Sequence, residues 1–330
     1  MKALVTGGGG FLGGAIVRQL IARGDSVRSL ARSDYPALRA LGVETSRGDL
    51  TDIDSVAKAV EGCDAVFHVA AKAGIWGPYR DYHASNVVGT RNVVAACRAA
   101  GVGRLVFTSS PSVVFNGRDM EGVDESAPYA THFETAYPAT KAEAERLVLS
   151  ANSPELAVTA LRPHLIWGPG DTSLVPRIIA RAKAGRLRRI GRAPKLVDST
   201  YIDDAARAHL LAADRLAGGS PVAGRAYFIS QGEPMPVWDL INHILAAAHL
   251  PPVNREVSFP VAFGAAGLTE FVYRTLRIAR EPPMTRFVVR ELATSHWFDL
   301  SAARRDLAYS PRVPAEEGMR RLEIWLRSRP

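Results

Sequence analysis

Tyr137 and Lys141, set four apart in Tyr137-Pro138-Ala139-Thr140-Lys141, are the residues of this chain best suited to proton chemistry. On a helix that spacing puts both side chains on one face. Pro138 fits a helix only in its first turn, so Tyr137 belongs near the helix start. A free phenol, with a pKa near 10, is a poor acid or base at neutral pH. An ammonium beside it favours phenolate and lowers that value, which makes a tuned proton donor for a carbonyl oxygen. The run Leu105-Val106-Phe107-Thr108-Ser109-Ser110 ends an apolar strand in hydroxyls. A serine there, Ser110 in preference to Ser109, can hydrogen-bond the same oxygen. Taken singly, each signal also fits a plain surface pair or a Ser-rich turn; their weight comes from the elements around them.

The chain opens Met1-Lys2-Ala3-Leu4-Val5-Thr6-Gly7-Gly8-Gly9-Gly10-Phe11-Leu12-Gly13 and continues into an apolar helical pattern. That is a strand, a tight turn and a helix. Gly7, Gly10 and Gly13 let the backbone approach a pyrophosphate, and Phe11 and Leu12 begin the helix whose free N–H groups would meet its oxygens. Strand patterns follow at 26–30, 65–69, 105–108 and 158–161. Helical patterns lie between them at 53–60, 86–100 and 142–150. This alternation predicts an α/β chain: a Rossmann-type doubly wound parallel sheet with crossover helices. The expected division is a nucleotide-binding domain over 1–167, with sheet elements returning later, and a mainly substrate-binding lobe over 168–330. In that lobe Pro and Gly recur, and 259–279 is apolar with Arg274, Arg277 and Arg280. It reads first as a core helix, then as the wall of an apolar substrate channel, then as a membrane-surface or partner-docking helix.

Composition sets bounds. Of 330 residues, 47% are hydrophobic and 22% charged, which suits a globular protein with a sizeable core. Cys63 and Cys97 are the only cysteines; neither lies in a CxxC pair or a His/Cys cluster of zinc spacing, so no metal is expected and a reducing cytoplasm is. No signal peptide precedes the first strand, and no apolar run reaches the length of a membrane span. The net charge of +8 could serve nucleic acid. Apart from Arg186-Leu187-Arg188-Arg189, however, the arginines are scattered and no stacking aromatics accompany them. An anionic cofactor and an acidic substrate explain the charge more economically.

Together these pieces resemble the extended branch of the short-chain dehydrogenase/reductase superfamily over nearly the whole chain. The matching segments are the Thr6–Gly13 turn, Gly48-Asp49-Leu50, His68-Val69-Ala70-Ala71, Asn86-Val87-Val88-Gly89-Thr90, the Ser110/Tyr137/Lys141 set, Arg162-Pro163 with Trp167-Gly168-Pro169-Gly170, and Tyr201-Ile202-Asp203-Asp204. The resemblance implies that Asp49 and Leu50 flank an adenine and that Ala70 and Ala71 line the cofactor backbone. It also implies that Lys141 holds the nicotinamide ribose and that Pro163 to Leu165 lie near the nicotinamide ring, with Asn86 and Asp203 structural. At the end of the second strand the acidic residue that would bind an NAD ribose is replaced by Ala31, followed by Arg32. A guanidinium suits a 2′-phosphate, so NADP(H) is expected, with Asp34 keeping NAD open.

Within that superfamily, Ala71-Lys72-Ala73-Gly74-Ile75-Trp76, Val113-Val114-Phe115 and Ser295-His296-Trp297-Phe298-Asp299 resemble the 3β-hydroxysteroid and sterol-4-carboxylate 3-dehydrogenases, and the bacterial 2-alkyl-3-oxoalkanoate reductases of long-chain olefin biosynthesis. The resemblance implies an NADPH-dependent ketoreductase with an acidic, very apolar substrate. Residues 72–83, basic and aromatic, are a candidate carboxylate grip. Hydroxysteroid oxidation, nucleotide-sugar epimerisation or reduction, and a non-catalytic NADP-binding regulator remain as alternatives. A cytoplasmic homodimer, with other olefin-pathway enzymes as partners, is the expected setting.

Overall fold

The computed structural model describes residues 1–328. One seven-stranded sheet runs in the order Arg225–Ile229, Ala157–Pro163, Arg104–Thr108, Ala65–His68, Lys2–Thr6, Ser26–Ala31, Glu44–Arg47. All six pairings are parallel. The chain therefore has the α/β doubly wound fold that its alternating pattern predicts. Chain order reverses beside Lys2–Thr6: the first three strands build one way, and the rest build the other way from Ala65–His68. A crevice opens at the carboxyl ends of such strands, where open α/β sheets bind ligands.

Period-two alternation explains the two packed layers. Ala3 and Val5 join one core cluster, with Ile16 and Leu20 of the helix Phe11–Ala22 and with Ala205 and Ala208 of Ile202–Arg215. Leu4 points to the other face, with Val56, Val93 and Cys97. Burial on both faces accounts for the near-continuous apolar strands.

The expected helix at 86–100 is the later part of a longer one. It begins as Tyr79–His83, widens into a π-turn over Ala84–Val88 and resumes as Gly89–Ala99. The expected helix at 142–150 starts earlier, as Ala136–Ser150, with Tyr137 and Pro138 in its first turn. Residues beyond 168 divide their work. Ile202–Arg215 and Arg225–Ile229 complete the main sheet. Val237–Ala247 packs beside a small sheet containing Leu196–Val197 and His296–Phe298, and Phe259–Thr275 packs on Arg286–Ala293.

One expectation is overturned. Residues 259–279 are helical over Phe259–Thr275, but this is not a core helix: only Ala266 and Glu270 are buried in it. Val261, Leu268 and Phe271 are 62%, 66% and 67% exposed. Apolar composition all round normally signals a buried helix. Here one flank packs against Arg286–Ala293, and nothing among the described residues covers the other.

Candidate active site

The strand Arg104–Thr108 and the helix Ala136–Ser150 bring the three predicted chemical groups together. Lys141 is buried and donates from Nζ to the Thr108 carbonyl at 2.5 Å, with its ammonium 4.0 Å from the centre of the Phe107 ring. Ser110 follows the strand end, where its Oγ accepts from the Ser112 N–H and caps the short turn Pro111–Val113. The Ser110 hydroxyl is 2.9 Å from that of Ser112 and lies near enough to the Tyr137 phenol to favour its ionised form, which singles out Ser110; the Ser109 hydroxyl is buried without a partner.

The electrostatics differ from the expectation. Burial pushes the Tyr137 phenol up to about 12; the Ser110 hydroxyl opposes that shift and the nearby Glu291 carboxylate adds to it. Lys141 is itself pushed down to about 7 by burial, against the pull of Glu145. The Lys141 ammonium is directed at the Thr108 carbonyl and the Phe107 ring. The phenol stays protonated across the physiological range.

A buried polar chain, not foreseen from the sequence, ties the glycine turn to the helix Ala136–Ser150. Thr6 Oγ1 shares a hydrogen bond with His68 Nδ1, and His68 Nε2 shares one with Thr90 Oγ1, both at 2.9 Å. Thr90 donates to the Asn86 carbonyl. The Asn86 amide accepts from the Lys72 N–H at 2.7 Å and donates to Thr140 Oγ1, on that helix, at 3.0 Å. The π-turn falls where Asn86 makes this bridge. Asn86 thus bridges the segment at Lys72 to the helix Ala136–Ser150. A second clamp is Glu145, one turn beyond Lys141: fully buried, it takes two hydrogen bonds from Arg162, at 2.6 and 3.1 Å, and one from the Tyr129 hydroxyl.

At the glycine turn the backbone approaches itself so closely that side chains are excluded. Gly7 has φ +71°, and a Cβ on Gly13 would lie 2.2 Å from the Gly7 carbonyl oxygen. Phe11 and Leu12 open the following helix, which has no side-chain cap and no acidic residue in its first turn, so its N–H groups are free to meet an anion. Ala70 packs on Gly7, and its N–H is held by Thr6 Oγ1; Ala71 follows in the same loop. Arg32 lies exposed past the second strand, with no carboxylate in ion-pair contact among the described residues though near enough to Asp49 to lower it, and the Arg47 guanidinium reaches its carbonyl. Asp34 is paired with Arg39. Asp49 accepts from the Thr51 N–H and hydroxyl, and these bonds hold its carboxyl below the usual range; Leu50 packs against Gly89. A close-packed turn, free helix N–H groups and an unpaired guanidinium fit a phosphorylated dinucleotide.

Pro163 ends its strand, and Leu165 takes the left-handed conformation at φ +41°. Between them His164 is buried against His296, with Nε2 3.0 Å from His296 Nδ1. Burial depresses both imidazoles, which keeps the pair neutral.

Beside the Tyr137 turn lies a cleft of about 1530 Å³. Residues 75–81 form one wall, and Phe263, Tyr273 and Phe287 part of another. Much of the basic charge of the expected grip at 72–83 is already engaged, since Lys72 and Arg80 both reach Asp81 at 3.5 Å. The cleft has further cations that sequence reasoning did not place there: Arg274, Arg277, Arg286 and Arg290. Glu270 takes Arg286 and Arg274, and Glu134 takes Arg290, whereas Arg277 has no such partner among the described residues.

A doubly wound sheet with a glycine turn and a Ser-Tyr-Lys set both at the carboxyl ends of its strands defines an oxidoreductase of the extended short-chain dehydrogenase/reductase type. Residues 4–261 match the 3-beta hydroxysteroid dehydrogenase/isomerase family, and the chain belongs to that family. It is 53% identical over 325 residues to the 2-alkyl-3-oxoalkanoate reductase of Stenotrophomonas maltophilia, covering 98% of each. It is 49% identical to the protein of the same name from Shewanella oneidensis, covering 98% of this chain and 86% of that one. The crystal structure of gox2253 superposes with a TM-score of 0.79 at 29% identity, over 98% of this chain and 97% of that chain.

Proposed function

We propose that this oxidoreductase reduces a 2-alkyl-3-oxoalkanoate to the 2-alkyl-3-hydroxyalkanoate with NADPH. The observation that carries the reading is the meeting of Tyr137, in the first turn of Ala136–Ser150, with Lys141 on the same helix and Ser110 at the strand end; burial, which pushes the phenol up to about 12, adds to it. Reducing a ketone needs a proton at the carbonyl oxygen, and a phenol that keeps its proton at neutral pH is a donor rather than a base. The same group would need prior ionisation to drive oxidation.

Gly7, Gly10, Gly13, Phe11 and Leu12 would hold the pyrophosphate and Arg32 a 2′-phosphate. Asp49 and Leu50 would flank the adenine, Ala70 and Ala71 the backbone, Lys141 the nicotinamide ribose, and Pro163 and Leu165 the ring. Bound there, the reduced nicotinamide supplies the hydride for C3. Tyr137 supplies the proton to the C3 oxygen, and Ser110 orients that oxygen. Lys141 fixes the strand end through Thr108. The apolar walls of the cleft suit two alkyl chains, and its arginines suit the carboxylate two bonds from the reacting carbon. We assign the working form to a cytoplasmic homodimer beside other olefin-pathway enzymes; the buried free thiols of Cys63 and Cys97 support a reducing compartment.

The test is NADPH oxidation with a 2-alkyl-3-oxoalkanoate, run against steroids and nucleotide sugars and repeated with NADH. Tyr137→Phe should lower kcat by about 10²–10⁴-fold. Undiminished turnover in that variant removes Tyr137 from its role, and a preference for a steroid or nucleotide sugar replaces the substrate.

A further inference from the structure

The helix Phe259–Thr275 separates two environments. Its inner flank, through Phe263, Glu270 and Tyr273, lines the cleft. Its outer flank is an apolar ridge: Val261, Leu268, Phe271 and Val272 recur at helical spacing, and Leu276 extends the line. Six of the eleven exposed large apolar side chains among the described residues belong to this helix or to Leu276. Scattered surface leucines need no explanation, but a contiguous ridge marks a contact surface.

Charge says what kind of contact. The strand pairing of Arg189 with Glu256 brings the 189–192 segment beside the helix start, where Arg192 and Arg255 are both exposed. Arg274, Arg277 and Arg280 are exposed at the other end, and the last two make no ion pair among the described residues. Neighbouring carboxylates are already engaged: Glu256 by Arg192, Glu270 by Arg286, Glu281 by Arg177. An apolar ridge between two guanidinium clusters matches an anionic lipid surface, with acyl chains under the ridge and phosphates at its ends. Two copies meeting face to face across this ridge would oppose like charges.

We propose that the outer flank of Phe259–Thr275 docks the protein on the surface of an anionic membrane, resting in its interface. No helix among the described residues is long and apolar enough to cross one. Because the inner flank of the same helix lines the cleft, a docked molecule has its cleft beside the lipid. A two-chain acid would then enter without passing through bulk water. This last clause rests on the proposed substrate; the docking does not.

The full chain would be sedimented with vesicles of phosphatidylcholine alone and of phosphatidylcholine mixed with phosphatidylglycerol, at low and high salt and without substrate. Binding should require the anionic lipid and weaken with salt. Leu268→Glu with Phe271→Glu should abolish it. Arg255→Glu and Arg280→Glu, which leave the ridge intact, should each weaken it by about fivefold or more. Melting temperature and NADPH turnover of a short-chain, water-soluble 2-alkyl-3-oxo acid should be unchanged in the arginine variants, which keeps the test valid if the double glutamate variant misfolds. Failure to bind at every phosphatidylglycerol fraction, equal binding to phosphatidylcholine alone, or undiminished binding by the arginine variants overturns the proposal. So does a fall in solution mass in the double variant, which would make the ridge a protein interface. Vesicle binding is read without catalysis, so it stands or fails separately from the ketoreductase assignment.

Discussion

The two walls of the crevice are built on opposite terms. On the sheet side the polar groups are buried and partnered by the chain itself, through Thr6, His68, Thr90, Asn86 and Thr140 and through the Glu145–Arg162 pair. On the far side the charges stand in an open cleft, where Arg274, Arg286 and Arg290 share two carboxylates and Arg277 has none among the described residues. A proton donor must be held within a fraction of an ångström, and only groups locked by their neighbours can do that. A grip on a solvated carboxylate needs charge still available when the ligand arrives. On the proposed function, rigidity is concentrated where bonds change, and unspent charge where the substrate is caught.

If that contrast is right, the largest stability loss comes from the sheet side. Glu145→Ala leaves the Arg162 guanidinium buried, with its Nη1 already lacking a partner. Breaking such a pair costs about 3–5 kcal/mol, whereas a surface arginine change stays within about 0.5. Urea unfolding of Glu145→Ala beside Arg274→Ala measures both. Equal losses would dissolve the distinction.

The same contrast explains what could be read from the sequence. The glycine turn and the Tyr137–Lys141 pair were legible because their geometry is local: four to six residues fix it. Glu145 and Arg162 are 17 apart, and His164 and His296 are 132 apart, so only the folded chain brings them together. The strand Glu44–Arg47 is short, polar and at the sheet edge, and carries no apolar pattern to betray it. The apolar stretch 259–279 predicts the helix Phe259–Thr275 but not its exposure, because composition reports that a face is apolar and not whether anything covers it. The spacing of Tyr137 and Lys141 shows that the two share a helix face and not that the ammonium reaches the Thr108 carbonyl.

Acid should damage the sheet side selectively. Burial depresses His68 to about 3 and His209 to about 4. Unfolded histidine takes a proton near pH 6.5, so below that value the unfolded chain binds protons that the folded chain refuses. Stability is therefore complete above pH 6.5 and falls as pH drops from 6.5 towards 4. By pH 4 the loss is roughly 3 kcal/mol for His209 alone. Melting temperatures between pH 7.5 and 4.5 should decline more steeply for the wild type than for His209→Gln. Parallel curves would show that this imidazole is not what resists protonation.

A smaller effect tests the coenzyme end. Arg32 is exposed and in no ion pair among the described residues, while Asp34, the residue that would favour NAD, is held by Arg39. Arg32→Asp should raise KM for NADPH by about 10- to 100-fold, the worth of a charge-assisted phosphate contact, and narrow or reverse the preference over NADH. An unchanged NADPH to NADH ratio would move the 2′-phosphate contact elsewhere, with Arg47 the next guanidinium along.

The cleft side offers the smallest effect and the sharpest opposition of stability and function. Arg277 ends the helix in the left-handed conformation at φ +51°, where its N–H donates to the Arg274 carbonyl and the Ile278 N–H to that of Tyr273. Glycine is the residue that position favours. Arg277→Gly should therefore stabilise the protein by up to about 1 kcal/mol while removing the unpaired guanidinium from the cleft. If that guanidinium grips the carboxylate, KM for the 3-oxo acid rises about five- to tenfold with kcat unchanged, the mark of binding shared equally by ground and transition states. A neutral ketone of the same chain length should show no change. A gain in stability with loss of affinity means that an arginine is kept in a strained position for its charge, as functional sites trade stability for activity. A stabilised variant with unaltered KM would leave Arg277 to the outer, lipid-facing surface alone.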